Sequence, residues 1–155
     1  MSVHVTTKRI KKDWTDYNEH MNMAYYVLIF DIAWEVILEK FKMGEHSAKT
    51  TKKSTMVVET HTTYNNEVKE NEDVDVFLTH FNHDKKRIHY KLEMYEKSKN
   101  ILSATTEALS LYIDLNLRKV AEFEDEKKAI MDNFINDNKS SFKSNNLYFT
   151  NKLKK

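Results

Sequence analysis

Apolar residues in the first third of the chain recur at the spacing of one long α-helix. A first row, spaced by three or four residues, consists of Tyr26, Phe30, Ala33, Ile37 and Phe41. A second row, which widens the apolar stripe to most of the circumference, consists of Tyr25, Leu28, Ile32 and Val36. A helix that is apolar on so many sides is largely buried. The pattern therefore predicts a buried helix from about Asn22 to Lys42, and Gly44 just beyond it is expected to act as its C-terminal stop.

Alternation of apolar and polar residues predicts strands on both sides of this helix. One strand is expected at residues 3–13, and four more are expected in the runs 58–64, 74–78, 88–94 and 102–113. Because short polar turns separate the four later runs, an antiparallel meander is predicted. The polar segment 46–54 is expected to be a mobile loop, and residues 124–137 a second helix with acidic residues at its start.

The order of these elements predicts the fold class. One long buried helix needs a sheet that is broad and curved enough to wrap around it. The expectation is an α+β hotdog fold, in which a curved antiparallel sheet wraps one long central helix, with a short C-terminal helix. This domain is predicted to span residues 1–137. Residues 138–155 form a tail rich in Lys, Asn and Ser that is expected to pack loosely or stay disordered.

Composition narrows the function mainly by exclusion. The chain carries a net charge of +1 without a basic field for nucleic acid, and the absence of cysteine excludes disulfides and thiolate metal sites. With one glycine and no proline, a glycine-rich phosphate loop is impossible. No metal site is expected, because no set of further ligands accompanies His80 and His83. The N-terminus does not resemble a signal peptide, and charges interrupt the longest apolar stretch, so we expect a cytoplasmic protein without a membrane span.

The loop that enters the long helix carries the residues of greatest chemical interest. Asp16, Asn18, His20 and Asn22 place an acid, two amides and an imidazole just before the helix start. Backbone N–H groups there lack intrahelical partners and, with the helix dipole, can hold a developing oxyanion. A carboxylate a few residues upstream is able to attack a carbonyl held there, or to activate a water molecule. A purely structural role is the alternative, in which these side chains form turn and cap hydrogen bonds.

The segment from Asp16 to Tyr26 resembles the signature of 4-hydroxybenzoyl-CoA-type hotdog thioesterases. The resemblance implies that Asp16 is the catalytic carboxylate and that the backbone N–H of Met23 contacts the oxyanion. The other positions that match the family pattern are His20, Asn22, Tyr26 and Asp31. One departure is Glu19, which stands where the family has glycine and puts the conformation of the loop in question.

Further segments, in order over roughly residues 5–125, are similar to betainyl-CoA thioesterases of carnitine breakdown. They are 58–61, 83–90, 94–95, 104–107 and 114–120. This resemblance points to a trimethylammonium group, which aromatic rings bind with about 0.5–2 kcal/mol per contact. The candidate substrate-binding residues are Trp14, Tyr17, Tyr25, Glu59 and His61. Packing is the alternative role for the rings. Glu59 and His61 share a strand face and are expected to line the pocket from the partner subunit, with an internal polar pair as the alternative.

A basic turn formed by Lys85, Lys86 and Arg87 lies where, by the same resemblance, the phosphates of CoA bind. An ordinary solvated hairpin turn is the alternative. CoA is part of the substrate in this interpretation, so no separate cofactor is expected. Because a hotdog sheet has an exposed edge that invites pairing, a homodimer or a tetramer is predicted, with sites at the subunit interface.

Three functions fit this pattern. The first is hydrolysis of an acyl-CoA thioester, with Asp16 as nucleophile or general base. The second is a hotdog enoyl-CoA hydratase, although the segment from Asp16 to His20 lacks the proline of the Asp-x-Asn-Pro-x-His pattern in those enzymes. The third is a non-catalytic acyl-CoA-binding protein, which gains nothing from an anion placed near an anionic ligand. Hydrolysis is therefore the expected function.

Overall fold

The computed structural model describes residues 2–155 as one curled sheet with three α-helices. The strands are β1 (Val3–Arg9), β2 (Lys53–Tyr64), β3 (Asp73–His83), β4 (Arg87–Glu96), β5 (Ile101–Asp114) and β6 (Lys119–Val120). The helices are α1 (Met23–Lys40), α2 (Glu45–Thr51) and α3 (Asp125–Asn138), with short 3-10 turns at Lys12–Trp14 and Lys139–Ser141. In this part of the chain, no helix is long and apolar enough to cross a membrane.

The sheet is antiparallel in the order β1–β3–β4–β5–β2, and β6 adds to β5. The predicted meander is therefore correct for β3, β4 and β5 and wrong for β2. Instead of pairing with β3, β2 pairs with β5, from Lys53 opposite Asp114 to Tyr64 opposite Ala104. The loop between β2 and β3 carries the chain from one edge toward the other, so β2 and β1 are the two edge strands.

Helix α1 lies on the concave side of the sheet and forms the centre of the core. The first apolar row is buried as predicted, and Trp34 stacks on Tyr90 of β4 with ring centroids 3.6 Å apart. Full burial of each large side chain of this kind stabilises the fold by about 1.5–3 kcal/mol. A long helix held inside a curled antiparallel sheet, followed by the shorter α3, confirms the predicted α+β hotdog fold.

The second apolar row of α1 is only partly covered by the chain's own sheet. Leu28 and Val36 are 39% and 36% exposed, and Val27, which lies outside the row, is 50% exposed. The neighbouring edge strand β2 also presents apolar side chains to solvent, which are Met56, Val57 and Val58. A single chain therefore exposes apolar surface on both α1 and β2, where the sequence predicts burial on most sides of the helix.

The segment after α1 differs from the prediction in two ways. The polar run expected to be a mobile loop forms α2, with Gly44 as its N-cap. Gly44 has an ordinary φ of −78°, and Lys42 takes the left-handed conformation after α1 instead, with a φ of 59°. A Cβ at position 44 would overlap the carboxylate of Glu39, which would have to move aside at the end of its flexible side chain. Glu35 accepts the first N–H of α2 at 2.8 Å, which holds the two helices together.

The polar tail docks on the convex face of the sheet, opposite α1. Glu107 of β5 is 2% exposed and accepts the backbone N–H groups of Tyr148 at 2.6 Å and Phe149 at 2.8 Å. His89 Nε2 lies 2.6 Å from the same carboxylate, and Phe149 is 4% exposed. The tail is held largely through backbone groups, which its polar composition does not reveal, so the structure places it against the sheet where loose packing or disorder was expected.

Candidate active site

The loop between β1 and α1 closes as a three-residue hairpin turn. An antiparallel bridge pairs Thr15 with Met21, and inside it the Asp16 N–H donates to the His20 carbonyl at 3.3 Å across three residues. The Glu19 N–H donates to the Asp16 carbonyl at 2.9 Å. Glu19 has a φ of 64°, in the left-handed region that glycine adopts most easily at the end of such a turn. The glutamate at the family's glycine position therefore keeps a glycine-like backbone, at a cost in local strain.

Replacement of Glu19 by glycine is expected to raise the free energy of unfolding by about 0.5–1 kcal/mol. Relief of left-handed strain should exceed the flexibility that glycine adds to the unfolded chain. Urea denaturation of the two proteins measures the difference. Glu19→Ala is the matched control, because it removes the carboxylate and keeps the Cβ. An equal gain in both variants would assign the strain to the charge rather than to the backbone.

The Asp16 carboxylate is partly exposed and is held by neutral donors. Its Oδ2 accepts the side-chain amide of Asn22 at 3.0 Å, and its Oδ1 accepts the Asn18 N–H at 2.8 Å. The bond from Asn22, followed by that from Asn18, holds the pKa of Asp16 below its usual range, with a smaller effect of the His20 charge. Asp16 is therefore ionised at neutral pH without being consumed by an ion pair within the described residues.

Asn22 connects this carboxylate to the start of α1. Its side-chain oxygen caps the helix by accepting the Ala24 N–H at 3.0 Å, while its amide donates to Asp16. The Trp14 carbonyl accepts the backbone N–H of Asn22 at 2.9 Å, which fixes the cap in place. The N–H of Met23, the first helical residue, has no acceptor among residues 2–155. A free donor at the positive end of the helix dipole thus follows directly after the residue that binds the carboxylate.

A small surface depression of about 250 Å³ lies beside this helix start. His20, Met23 and Tyr26 line one side of it. The loop after β2 lines the other side with Tyr64, Asn65, Asn66 and Glu67. In the sequence this loop is recognisable only as a turn, and its residues do not indicate a position beside α1. The volume is below the roughly 300–1,000 Å³ of most small-ligand sites.

Two hydrogen bonds order the walls of the depression. The Tyr26 hydroxyl donates to the Asn66 carbonyl at 3.2 Å, which ties α1 to the loop after β2. His20 Nδ1 lies 3.0 Å from the Met21 carbonyl. Because a carbonyl only accepts, Nδ1 is the donor, and Nε2 is the unprotonated nitrogen of the neutral ring. His20 can therefore offer an acceptor to a ligand in the depression.

The three aromatic residues named for cation binding are in different environments. Trp14 and Tyr25 stack with ring centroids 5.9 Å apart and an interplanar angle of 19°. Tyr17 is 94% exposed at the tip of the hairpin turn and contributes no wall in a single chain. The acid Asp31, which also matched the family pattern, lies further along α1 and lines a separate cavity with Trp34. Only Trp14 and Tyr25 therefore form a joint aromatic surface near the loop.

Glu59 and His61 face the tail rather than the depression. His61 pairs across the sheet with Glu107, on the convex face, and stacks on Tyr148 at 3.8 Å between ring centroids. Glu59 forms an ion pair with Lys152 at 3.3 Å. Within one chain, the two residues do not line the depression at the start of α1. Their predicted contact with substrate from the partner subunit stays a prediction.

The basic turn lies at the far end of the sheet from Asp16. Arg9 at the end of β1 pairs with Asp73 at the start of β3, which marks the end of the sheet that carries the loop with Asp16. The basic turn follows the other end of β3, eleven residues and about 33 Å away. Lys85 and Lys86 are exposed, whereas Arg87 donates to the buried Asp84 carboxylate at 2.9 Å. One chain therefore does not bring the predicted phosphate site and the predicted catalytic loop together.

Among residues 2–155, no group of three or more His, Cys, Asp or Glu side chains is placed to hold a metal ion. His83, half of the pair noted in the sequence, contacts Asp132 and the Asp84 carbonyl instead.

Comparison with known proteins places this geometry in a family. A betainyl-CoA thioesterase of Pseudomonas aeruginosa is 29% identical over 117 residues, covering 76% of this chain and 74% of that protein. A hypothetical protein from Staphylococcus aureus, solved in complex with CoA, has a TM-score of 0.81 at 18% identity and covers 97% of this chain and 92% of its own. A 1,4-dihydroxy-2-naphthoyl-CoA thioesterase from Synechocystis has a TM-score of 0.72 at 14% identity, covering 81% and 93%.

The match to a family model extends over most of the fold. The model of the thioesterase-like superfamily matches residues 10–134, from the end of β1 to α3, and includes the hairpin turn, α1 and the four long strands. The chain belongs to the thioesterase-like superfamily.

Proposed function

We propose that this protein hydrolyses acyl-CoA thioesters, with Asp16 as the catalytic carboxylate and the Met23 N–H as the oxyanion donor. The observation that carries the proposal is the double role of Asn22, which binds the ionised Asp16 and caps the helix whose first N–H is free. Asn22 therefore positions the negative charge of Asp16 and directly precedes Met23, whose N–H is the donor for a carbonyl oxygen.

Two reaction routes are compatible with this arrangement. In the first, an Asp16 oxygen attacks the thioester carbon, the C–S bond breaks to give the CoA thiolate, and water hydrolyses the resulting anhydride. In the second, Asp16 removes a proton from a water molecule that attacks the carbon directly. In both routes the Met23 N–H stabilises the negative charge on the carbonyl oxygen. One water is consumed, and a carboxylic acid and the CoA thiol are released.

For the acyl group, betainyl is the first candidate. Its support is the similarity to the Pseudomonas aeruginosa protein, together with the stacked Trp14 and Tyr25 near the loop. A trimethylammonium group gains about 0.5–2 kcal/mol on an open aromatic face. At Trp14 it would have to displace Lys11 Nζ, which lies 5.2 Å from the ring centroid. Release of free thiol from betainyl-CoA, short and long acyl-CoAs and an aryl-CoA tests both the reaction and the acyl preference. Binding of CoA esters without any thiol release would favour a non-catalytic acyl-CoA-binding protein.

We also propose a homodimer that pairs two β2 edges. The exposed apolar residues of β2 and of α1 adjoin a strand whose outer backbone groups are unpaired in one chain, and such an edge invites pairing. An antiparallel pair about a twofold axis sets the Tyr64 end of β2 beside the Lys53 end of its partner. The partner's basic turn then lies at the same end of the joint sheet as this chain's Asp16. Two chains would complete a site that one chain leaves divided.

The variant Val58→Lys is expected to be monomeric and to have at least about tenfold lower thioesterase activity, because a charged residue on an edge strand opposes strand pairing. Sedimentation velocity measures the oligomeric state, and thiol release measures the activity. Val120→Lys is the matched control, since Val120 is 45% exposed on β6 against 52% for Val58. A fully active Val58→Lys monomer would exclude the shared site.

A further inference from the structure

The cavity that Asp31 and Trp34 line is formed by helix α1, helix α2 and the edge strand β2. Its volume is about 490 Å³, within the usual range for small-ligand sites. Trp34 and Leu38 contribute apolar wall from α1, and Val57 contributes it from β2. The depression beside Met23 has a volume of only about 250 Å³. The larger space along α1 therefore lies at this cavity, away from the catalytic loop of the same chain.

The acidic residues of the cavity differ in whether they already have a partner. Glu35 accepts the backbone N–H of Glu45 at 2.8 Å, and Glu45 pairs with Lys49 at 2.8 Å. Asp31 forms no ion pair with a Lys, Arg or His side chain among residues 2–155, and no such side chain from this range lines the cavity. Asp31 therefore leaves one uncompensated negative charge at the cavity wall, which favours a ligand with a positive charge.

Strand β2 relates this cavity to the catalytic loop of a partner chain. Ser54 and Thr55, near the Lys53 end of β2, line the cavity, whereas Tyr64 at the other end lines the depression beside Met23. Antiparallel pairing of two β2 edges about a twofold axis sets the Tyr64 end of one chain beside the Lys53 end of the other. Because neighbouring strands are only about 4.8 Å apart, the depression of each chain then adjoins the cavity of its partner.

The spacing along α1 favours the partner's Asp31 over the chain's own. Asp31 lies eight residues beyond Met23, a rise of about 12 Å, which a short acyl group held at the Met23 N–H cannot span. Val27, half-way between the two, is 50% exposed and belongs to the apolar surface of the proposed dimer. When two α1 helices pack antiparallel across a twofold axis near Val27, Met23 of one chain lies level with the partner's Asp31.

We infer that the acyl group at each active site enters the partner's cavity, where the partner's Asp31 selects acyl groups that carry a positively charged nitrogen. This inference rests on the proposed function and its twofold dimer, and it adds a residue that determines acyl specificity. Trp14 is less suited to this role, because Lys11 Nζ already lies 5.2 Å from its ring centroid. Asp31, by contrast, has no cation to displace.

Two acyl-CoA probes of the same shape separate charge from size. Betainyl-CoA carries a trimethylammonium group, and 3,3-dimethylbutyryl-CoA has carbon in place of that nitrogen. In Asp31→Asn, kcat/KM for betainyl-CoA is expected to fall about five- to tenfold, whereas kcat/KM for the neutral probe should change by less than about twofold. Glu39→Gln is the matched control, because it removes an equal charge from the exposed surface of α1 outside the cavity. The control should keep the wild-type ratio of the two rates.

An unchanged ratio in Asp31→Asn, or an equal loss on both probes, would overturn the inference. A mixed dimer then tests whether the two residues act across the interface, with Asp16→Asn in one chain and Asp31→Asn in the other. If Asp16 works with the partner's Asp31, one of the two sites is intact, and the wild-type preference should persist at about half the rate. If both residues act within one chain, the preference should fall to that of Asp31→Asn, and the inference is wrong.

Binding separates this inference from the catalytic proposal. Thioether analogues of the two probes, which cannot be hydrolysed, are titrated by calorimetry into the wild type and into Asp31→Asn. Weaker binding of the charged analogue alone in Asp31→Asn would support the inference even if the wild type releases no thiol from either ester, in which case only the proposed hydrolysis fails. Equal binding of each analogue to the two proteins would overturn the role of Asp31 whether or not hydrolysis occurs.

Discussion

The variant Asp16→Asn is expected to lose about 10²–10⁴-fold of its thioester hydrolysis while it remains folded. Asparagine has the shape of aspartate but is neither a nucleophile nor a base of comparable strength, and proton transfer by a positioned carboxylate contributes rate factors of this size. The hydrogen bond from the Asn18 N–H can still be accepted by the new side-chain oxygen, whereas the bond from the Asn22 amide is lost because an amide nitrogen does not accept. The turn should therefore survive the change that removes the chemistry.

Thiol release under saturating substrate measures this loss, and circular dichroism during thermal unfolding checks the fold. Asp13→Asn is the matched control, because Asp13 is an exposed aspartate in the preceding 3-10 turn. The substitution removes an equal charge from the same loop. The control should retain wild-type activity. If Asp16→Asn keeps more than about a tenth of the activity, another group performs the reaction and the assignment of Asp16 is wrong.

The pH dependence gives a second readout of the same carboxylate. Hydrogen bonds from Asn22 and Asn18 hold the pKa of Asp16 below its usual range, so the reactive ionised form persists at neutral and mildly acidic pH. The rate contribution of Asp16 is expected to stay level as the pH falls from about 7 to 5, and to decline only below about 4, the ordinary pKa of aspartate. A decline centred near pH 6 would instead assign the base to an imidazole.

The variant Glu107→Ala is expected to lower the free energy of unfolding by about 2–4 kcal/mol. The substitution removes the acceptor that two backbone N–H groups of the tail share with the His89 ring. Each unsatisfied buried donor costs about 1–3 kcal/mol unless the tail detaches. Detachment limits the loss, because water then satisfies the freed groups. Urea denaturation measures the stability, and limited proteolysis of residues 142–155 detects release of the tail.

Acid should reveal the same interaction in the wild type. Burial alone would raise the pKa of Glu107, but the N–H groups of Phe149 and Tyr148, together with His89, outweigh it and hold the pKa below its usual range. The stabilisation is therefore complete at pH values above about 5 and is lost as the pH falls below about 4.3 toward the folded-state pKa. Glu107→Ala should lose this part of the acid sensitivity, whereas the exposed control Glu70→Ala should keep it. Unchanged tail protection in Glu107→Ala would show that other contacts anchor the tail.

Much of the fold could be predicted because its main elements depend on local periodicity. The first apolar row fixed the face of α1 that is buried, and the alternation in β3, β4 and β5 fixed three neighbouring strands in order. The partner of β2 could not be read in this way, because alternation defines which face is buried but not which strand lies alongside. Helix α2 was missed because its polar residues show no apolar stripe, and because its contact with α1 through Glu35 depends on the tertiary structure.

The candidate site also has a part that could be predicted from local sequence and a part that could not. The order Asp16, Asn18, Asn22 predicted turn and cap bonds, and the structure contains them, since those bonds join residues two to six positions apart. Positions that depend on distant strands were not predictable. Glu59 and His61 contact the tail because β2 lies beside β5, and the loop after β2 reaches the depression for the same reason. The catalytic proposal therefore depends on local geometry, and the pocket depends on the whole sheet.

The left-handed residues of the turns have a consequence for how this sequence can change. Glu19, Lys42, Lys52 and Arg118 all have positive φ values, each with a side chain that penalises this backbone conformation by about 1–2 kcal/mol relative to glycine. They lie in separate turns, so relief at one should be nearly independent of relief at another. The protein therefore tolerates a dispersed strain outside its core, and single substitutions at loop positions could make it more heat-resistant without touching the packed interior or the cap that carries the chemistry.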